Sequence, residues 1–242
     1  MLSFRLFSVP IGIGPSIVAG LLALGILSRL SEVLLLAWIV LGIVALLAHE
    51  LGHAVMFRRF GVPASIRFFA LGGLTVPDDA AAADQLSHAR IAMVAFAGPA
   101  VSLVIGLASL AFAIVFVQLG FTPSGGGRGL AFIWLFVNLG WGVFNLLPIA
   151  SLDGGLGLRH LLGAAIPGRA GIVLGVLANL LASAVVAVAA LQLGQPYIAV
   201  IAVVFGLASP ALYTELRDAL DPSRVPGRTG GTLESEPAPR QR

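Results

Sequence analysis

The chain lacks cysteine and lysine entirely, and charged residues make up only 10% of its 242 positions. The absence of cysteine excludes disulfides, thiolate nucleophiles and cysteine-based metal sites. A charged fraction this far below the roughly 25% of soluble domains, with 58% hydrophobic residues, excludes a soluble globular protein. All 14 basic residues are arginines dispersed along the chain, and the net charge is only +3, so we expect no nucleic-acid partner. The composition instead predicts an integral membrane protein that contacts the lipid bilayer.

Six apolar stretches are predicted to be long enough to span a bilayer, which takes about 20 residues. They predict an all-α polytopic membrane domain over residues 1–214, followed by a tail, 215–242, that is rich in proline, glycine and charge and is expected to be disordered. The predicted spans are 11–28, 33–57, 91–119, 130–150, 171–193 and 196–213.

The arginines are distributed unequally between the two sides that six spans would create. Arg29 and Arg128 fall on one side, and the other twelve fall on the side of the termini. The positive-inside rule therefore predicts that both termini are cytosolic, in what we expect to be a bacterial inner membrane.

The loop after the second span is aromatic and β-branched around a glycine pair, Gly72–Gly73. This composition predicts a short extended or hairpin-like segment at the membrane edge, over about residues 66–76. Irregular backbone is tolerated at that depth only where protein or a water-filled cavity covers it.

The second span ends in His49-Glu50-Leu51-Gly52-His53, an H-E-x-x-H motif. Two histidines four positions apart lie on one helix face and can bind one metal, while the glutamate can reach a water beside that metal without being a ligand. Ionisable groups inside an apolar span are costly, and their presence there indicates function.

A catalytic zinc needs a third protein ligand. Asp153 is favoured because it follows the fourth span, in a segment whose proline and two glycines interrupt the helix, and because the second and fourth spans run in the same direction. Both motifs are therefore expected at similar depth near the cytosolic face. The other candidates are His88, His160, Asp78, Asp79 and Asp84.

With these motifs the chain resembles the site-2 protease family of intramembrane zinc metalloproteases. The resemblance rests on HELGH and on NLLPIASLDGG (145–155), with weaker support from FALGGL and from AGPAVSL (97–103), and covers about residues 45–160. It implies one zinc per chain held by His49, His53 and Asp153, with Glu50 as the catalytic acid/base and Asn145 in a supporting catalytic role. It also implies a membrane-spanning protein substrate.

The chain departs from the family pattern in two places. Ser102 stands near the position where relatives often carry an asparagine, which puts a polar contact near the metal in doubt. No loop is long enough for the PDZ or CBS domains that many relatives carry. Three other functions compete: a transporter, a prenyl-protein protease with a glutamate as third zinc ligand, and a non-catalytic scaffold that binds membrane helices. The sequence does not determine the oligomeric state.

Overall fold

The computed structural model describes residues 2–70, 72–166, 169–207 and Arg217. Within this part the chain is mostly helical, with one small sheet whose strands all lie within the first 77 residues. The strands are β1 (Leu2–Leu6), β2 (Val9–Ile13), β3 (Ala64–Phe69) and β4 (Gly72–Pro77). The helices are α1 (Pro15–Leu27), α2 (Glu32–Arg59), α3 (Ala80–Asp84), α4 (His88–Gln118), α5 (Gly126–Leu135), α6 (Trp141–Asn145), α7 (Asp153–Ala165), α8 (Arg169–Gln192) and α9 (Pro196–Leu207).

Four helical segments are long and apolar enough to cross a membrane: α2, α4, the α5–α6 segment Gly126–Asn145, and α8. The other two predicted spans are shorter apolar helices, with 13 residues in α1 and 12 in α9. The predicted six full spans are therefore not reached in the described part of the chain. The end of the sixth span and the tail 215–242, apart from Arg217, lie outside the described residues.

The expectation of an all-helical fold was wrong for the N-terminus. The strand order is β1-β2-β3-β4, with antiparallel pairing within each hairpin and parallel pairing between β2 and β3. The segment after α2 forms the predicted hairpin, but it is only half of the sheet. The first predicted span began at Ile11, which lies in β2 and pairs with Ile66 of β3.

The sequence of the β1–β2 hairpin carries a strand pattern that the prediction of six spans did not use. Leu2, Phe4 and Leu6 alternate with polar residues, as in a strand with one buried face. Its turn has positive φ at Phe7 and Ser8 (49° and 65°), a conformation for which Asn-Gly is the usual sequence. A long-range contact stabilises this turn, because Arg58 of α2 donates hydrogen bonds to both turn carbonyls, at 2.6 and 3.2 Å.

The main core forms where the sheet packs on α1 and α2 and where α2 packs on α5. It includes Ile11 and Ile66 from the sheet, Ile17 from α1, Leu46 from α2 and Ile133 from α5. The fourth predicted span, 130–150, extends past the end of its helix. The helix α5 continues through one π-helical turn, Phe136–Gly140, into α6, which stops at Asn145. Residues 146–152 then form a non-helical loop that leads to α7.

Candidate metal centre

Two imidazoles from one face of α2 and a carboxylate from the start of α7 meet inside the helical bundle. Nε2 of His49 lies 2.9 Å from Oδ2 of Asp153, and Nε2 of His53 lies 3.3 Å from the same oxygen. The two Nε2 atoms are 3.2 Å apart. His49 and His53 are buried, and the Asp153 side chain is 21% exposed. Of the described residues, these three form the group that could hold a metal ion, and they are called the metal group below.

The rings are oriented by contacts from α4. Nδ1 of His53 lies 2.7 Å from the carbonyl oxygen of Val94. Because a carbonyl only accepts, Nδ1 carries a proton, and a neutral ring would keep its lone pair on Nε2. Nδ1 of His49 lies 3.1 Å from Oγ of the buried Ser102. Ser102, where the sequence left a polar contact in doubt, therefore makes one directly with a member of the metal group.

The Glu50 side chain contacts the sheet. Oγ1 of Thr75, in β4, donates to Oε2 at 2.7 Å and lies 3.0 Å from the Glu50 carbonyl oxygen. A Cβ at Gly73 would overlap the Glu50 side chain, at 2.5 Å from its Cγ. The contact between Thr75 and Glu50 could not be predicted from the sequence, since a threonine in a strand belongs to no recognisable motif. The predicted hairpin thus packs directly beside the glutamate of the H-E-x-x-H motif.

Glycines make room for the site at two other places. A Cβ at Gly98 of α4 would collide with the imidazole of His53. A Cβ at Gly154 or Gly155 would collide with carbonyl groups of Leu146 or Ile149 in the loop that precedes α7. This is the close backbone approach that the glycine pair predicted. It brings Asp153 into the first turn of α7, where the helix dipole favours a carboxylate.

Asn145 is buried at the end of α6, and its Nδ2 donates to the carbonyl oxygen of Trp141, 3.0 Å away. Within the described residues, no hydrogen bond joins its side chain to His49, His53 or Asp153. A catalytic role for Asn145 therefore stays a prediction.

Most of the other third-ligand candidates are engaged elsewhere. Asp78 accepts from Ser65 Oγ at 2.6 Å, and Asp79 caps α3 by accepting from the Ala82 N–H. Asp84, the last residue of α3, does not belong to the three-residue metal group.

His88 and His160 bind each other instead, with their Nδ1 atoms 2.9 Å apart. Burial, then the positive charge of Arg159 and the neighbouring His88, lower the pKa of His160 to about 4. His160 lies in α7, which is not one of the four candidate spans.

No family model matches the chain. It is 40% identical over 114 residues to Rip3 of Mycobacterium tuberculosis, covering 46% of this chain and 27% of that protein. It is 29% identical over 163 residues to the zinc metalloprotease MJ0392 of Methanocaldococcus jannaschii, covering 66% and 44% of the two chains. The chain thus spans less than half the length of these curated relatives.

Among solved structures, the fold matches the site-2 protease from Methanocaldococcus jannaschii, with a TM-score of 0.56 and 20% identity. The match covers 90% of this chain and 95% of that one. The chain is thus a membrane protein that is similar in sequence to curated zinc metalloproteases and shares the fold of a solved site-2 protease.

Proposed function

We propose that the chain is a zinc-dependent intramembrane protease that cuts a peptide bond in or near the transmembrane helix of a membrane-anchored substrate. The observation that carries this proposal is the convergence of His49, His53 and Asp153 with Glu50 beside them but outside the ligand group. A metal site with three protein ligands leaves a coordination position open, as catalytic zinc sites do. The names of the curated relatives point to the same metal and the same class of reaction.

The donor set suits zinc. Two imidazole nitrogens and one carboxylate oxygen are ligands that Zn²⁺ accepts in catalytic sites. The Val94 contact places a proton on Nδ1 of His53, so the ring can present its Nε2 lone pair to a metal beside the Asp153 oxygen. When bound, zinc supplies a Lewis acid that polarises a carbonyl and makes water more acidic.

The chain's own residues then handle the proton. Thr75 holds Oε2 of Glu50, which leaves Oε1 to accept a proton from the attacking water and later to donate it to the leaving amine. Ser102 and Val94 keep the two imidazoles in fixed orientations, which preserves the geometry through the reaction. Asn145 lies in a helix end close in sequence to Asp153, and we assign it a supporting role in positioning the substrate.

A transmembrane helix must unwind before cleavage, because its carbonyls are held in hydrogen bonds along the helix. We propose that the unwound segment adds to the edge of β4, the last strand in the sheet order and the one that contacts Glu50. Leu74→Pro, on an exposed position of β4, should then reduce cleavage sharply. Leu2→Pro in β1, the opposite edge strand, is the matched control, and equal activity of both variants would refute strand addition.

The function is tested with full-length protein in proteoliposomes that also contain a tagged single-span reporter with a helix-destabilising Gly-Pro segment. Zinc per chain and cleavage are measured for the wild type, Glu50→Gln and Asp153→Ala. We expect about one zinc and cleavage in the wild type, zinc without cleavage in Glu50→Gln, and loss of both in Asp153→Ala. Unimpaired cleavage by Glu50→Gln would sink the assignment, whereas absence of zinc from the wild type would favour a transporter or scaffold.

We also propose that both termini and the metal site lie toward the cytosol of a bacterial inner membrane, as the arginine distribution predicts. The absence of cysteine makes this directly measurable, since any introduced cysteine is the sole thiol. In intact cells, an impermeant thiol reagent should label Ser124→Cys, between α4 and α5, and should not label Ala81→Cys in α3. The reverse pattern would invert the orientation.

A further inference from the structure

A buried asparagine in α8 connects the loop that precedes Asp153 to the last described helix. Asn179 is 2% exposed and lies within a candidate membrane span. Its Oδ1 accepts from the backbone N–H of Ala150 at 2.7 Å, and its Nδ2 donates to the carbonyl oxygen of Gly206, in α9, at 2.9 Å. Both ends of the amide are therefore used, and one of them holds the backbone three residues before Asp153.

A second contact links the same loop to α9. Oγ of Ser151 donates to the carbonyl oxygen of Phe205 at 2.9 Å. Two consecutive loop residues, Ala150 and Ser151, are thus linked to two consecutive residues of α9. Asn179 connects Ala150 to Gly206, and Ser151 bonds directly to Phe205. The close packing of α8 on α9 that this requires depends on Gly206, because a Cβ there would collide with Ser183 Oγ.

The loop is hydrogen-bonded to α8 and α9 on one side and packs tightly against α7 on the other. Its carbonyls at Leu146 and Ile149 face Gly154 and Gly155 of α7 at distances that exclude a Cβ. Ile149 is fully buried. Non-helical backbone deep in a membrane protein needs protein partners for its polar groups, and Asn179 supplies one for the Ala150 N–H. Without it, this buried N–H would lose its partner, and the loop would shift to find another.

We propose that Asn179 is a positioning residue for the metal centre: through the Ala150 contact, and with the Ser151 contact beside it, α8 and α9 set the place of the Asp153 carboxylate relative to His49 and His53. Neither helix contributes a side chain to the metal group itself. Metal–ligand distances tolerate errors of only about 0.2 Å, so a small loop shift at residue 150 weakens the third ligand. This inference rests on the proposed metal site.

Ser183 provides a matched control on the same helix. It lies one turn from Asn179, is 5% exposed and also faces α9 near Gly206. Within the described residues its Oγ has no hydrogen-bond partner, so it makes no contact with the loop. Ser183→Ala therefore reports what a buried polar change in α8 does to stability alone.

The test is zinc affinity of the full-length protein in detergent, measured by competition with a chelator of known affinity, beside the melting temperature. We expect Asn179→Leu to bind zinc about tenfold more weakly than the wild type, within the range found for residues that orient metal ligands. Ser183→Ala should bind like the wild type. Asn179→Asp keeps an oxygen that accepts from Ala150, so its affinity should recover toward the wild-type value.

Each outcome decides between positioning and general stability. Wild-type affinity in Asn179→Leu, an equal loss in Ser183→Ala, or no recovery in Asn179→Asp would overturn the proposal. If Asn179→Leu does not fold, Ser151→Ala decides, because it removes the neighbouring tie from an exposed loop residue, and unchanged zinc affinity would then count against the proposal. Failure of the metal site itself would appear differently, as a wild type without zinc or an Asp153→Ala variant that keeps it.

Discussion

Ser102 Oγ lies 3.1 Å from Nδ1 of His49, a contact between α4 and α2 across 53 positions of sequence. If His49 binds zinc through Nε2, which faces Asp153, Nδ1 carries the ring proton and donates it to the serine hydroxyl. The serine would then hold the tautomer that a metal ligand needs.

Ser102→Ala should lower zinc affinity by about tenfold, the lower end of the range for partners of metal-binding histidines. The measurement is chelator competition with purified protein. Ser109→Ala is the control, since Ser109 lies in the same helix and bonds Trp134 and Ile105 rather than the site. Equal affinities of the two variants would show that Ser102 does not orient His49.

Gly98→Ala should prevent assembly of the metal centre, because the new methyl group would occupy the position of the His53 imidazole. We expect purified protein that has lost most of its zinc by elemental analysis. Gly175→Ala in α8 is the control, since a Cβ there meets only ordinary contact, at 3.9 Å from a Leu162 methyl carbon. A Gly98→Ala protein with full zinc would contradict this packing.

Thr75→Val keeps the shape of the side chain and removes the donor to Glu50 Oε2. A hydrogen bond to a charged group contributes about 1.5–3 kcal/mol, so cleavage of the reporter should slow by at least about tenfold. Zinc content should stay at the wild-type level, because Thr75 does not contact the metal group. Unchanged cleavage would show that Glu50 needs no partner on the sheet; loss of zinc would mean that β4 supports the ligands as well.

His160→Gln should make stability less sensitive to acid. The native pKa of His160 is lowered to about 4, by burial first and then by Arg159 and His88, from an unfolded value of 6.5. Between these values the unfolded chain binds the proton and the native chain does not, so native stability from this group falls as pH decreases from 6.5 toward 4. Melting temperatures at pH 7 and pH 5 should therefore differ less in the variant than in the wild type, and an equal difference would contradict the shift.

The metal group was predictable from the sequence because its parts carry chemistry in small, recognisable patterns. H-E-x-x-H places two candidate ligands on one face by helix periodicity, and Asp153 was predicted from the broken helix end around Pro148 and the glycine pair. Ser102, Thr75 and Asn179 could not be assigned in this way. Their partners lie 25 to 53 positions away, and only the packing of separate elements brings them together.

Strand β2 shows the opposite case. Its strand pattern was present in the sequence, but the long apolar run that contains it indicated a membrane span. The apolar run from Ile11 reads as the start of a span, although Ile11 and Ile13 alternate with smaller residues as in a strand. Parallel pairing with β3, which lies beyond α1 and α2, decided the conformation. Tertiary contacts of this kind override short-range preference.

The parallel pairing of β2 with β3 also constrains how the protein fits its bilayer. The chain leaves β2 through α1 and returns to the neighbouring strand β3 through α2. The two helices must therefore cross the same depth of the bilayer in opposite directions. Yet α1 has 13 residues and extends about 20 Å, against a hydrocarbon thickness of about 30 Å. We therefore expect hydrophobic mismatch at this edge: either the lipids thin beside α1, or the sheet lies below the headgroups. Both arrangements shorten the distance that water must travel to reach Glu50.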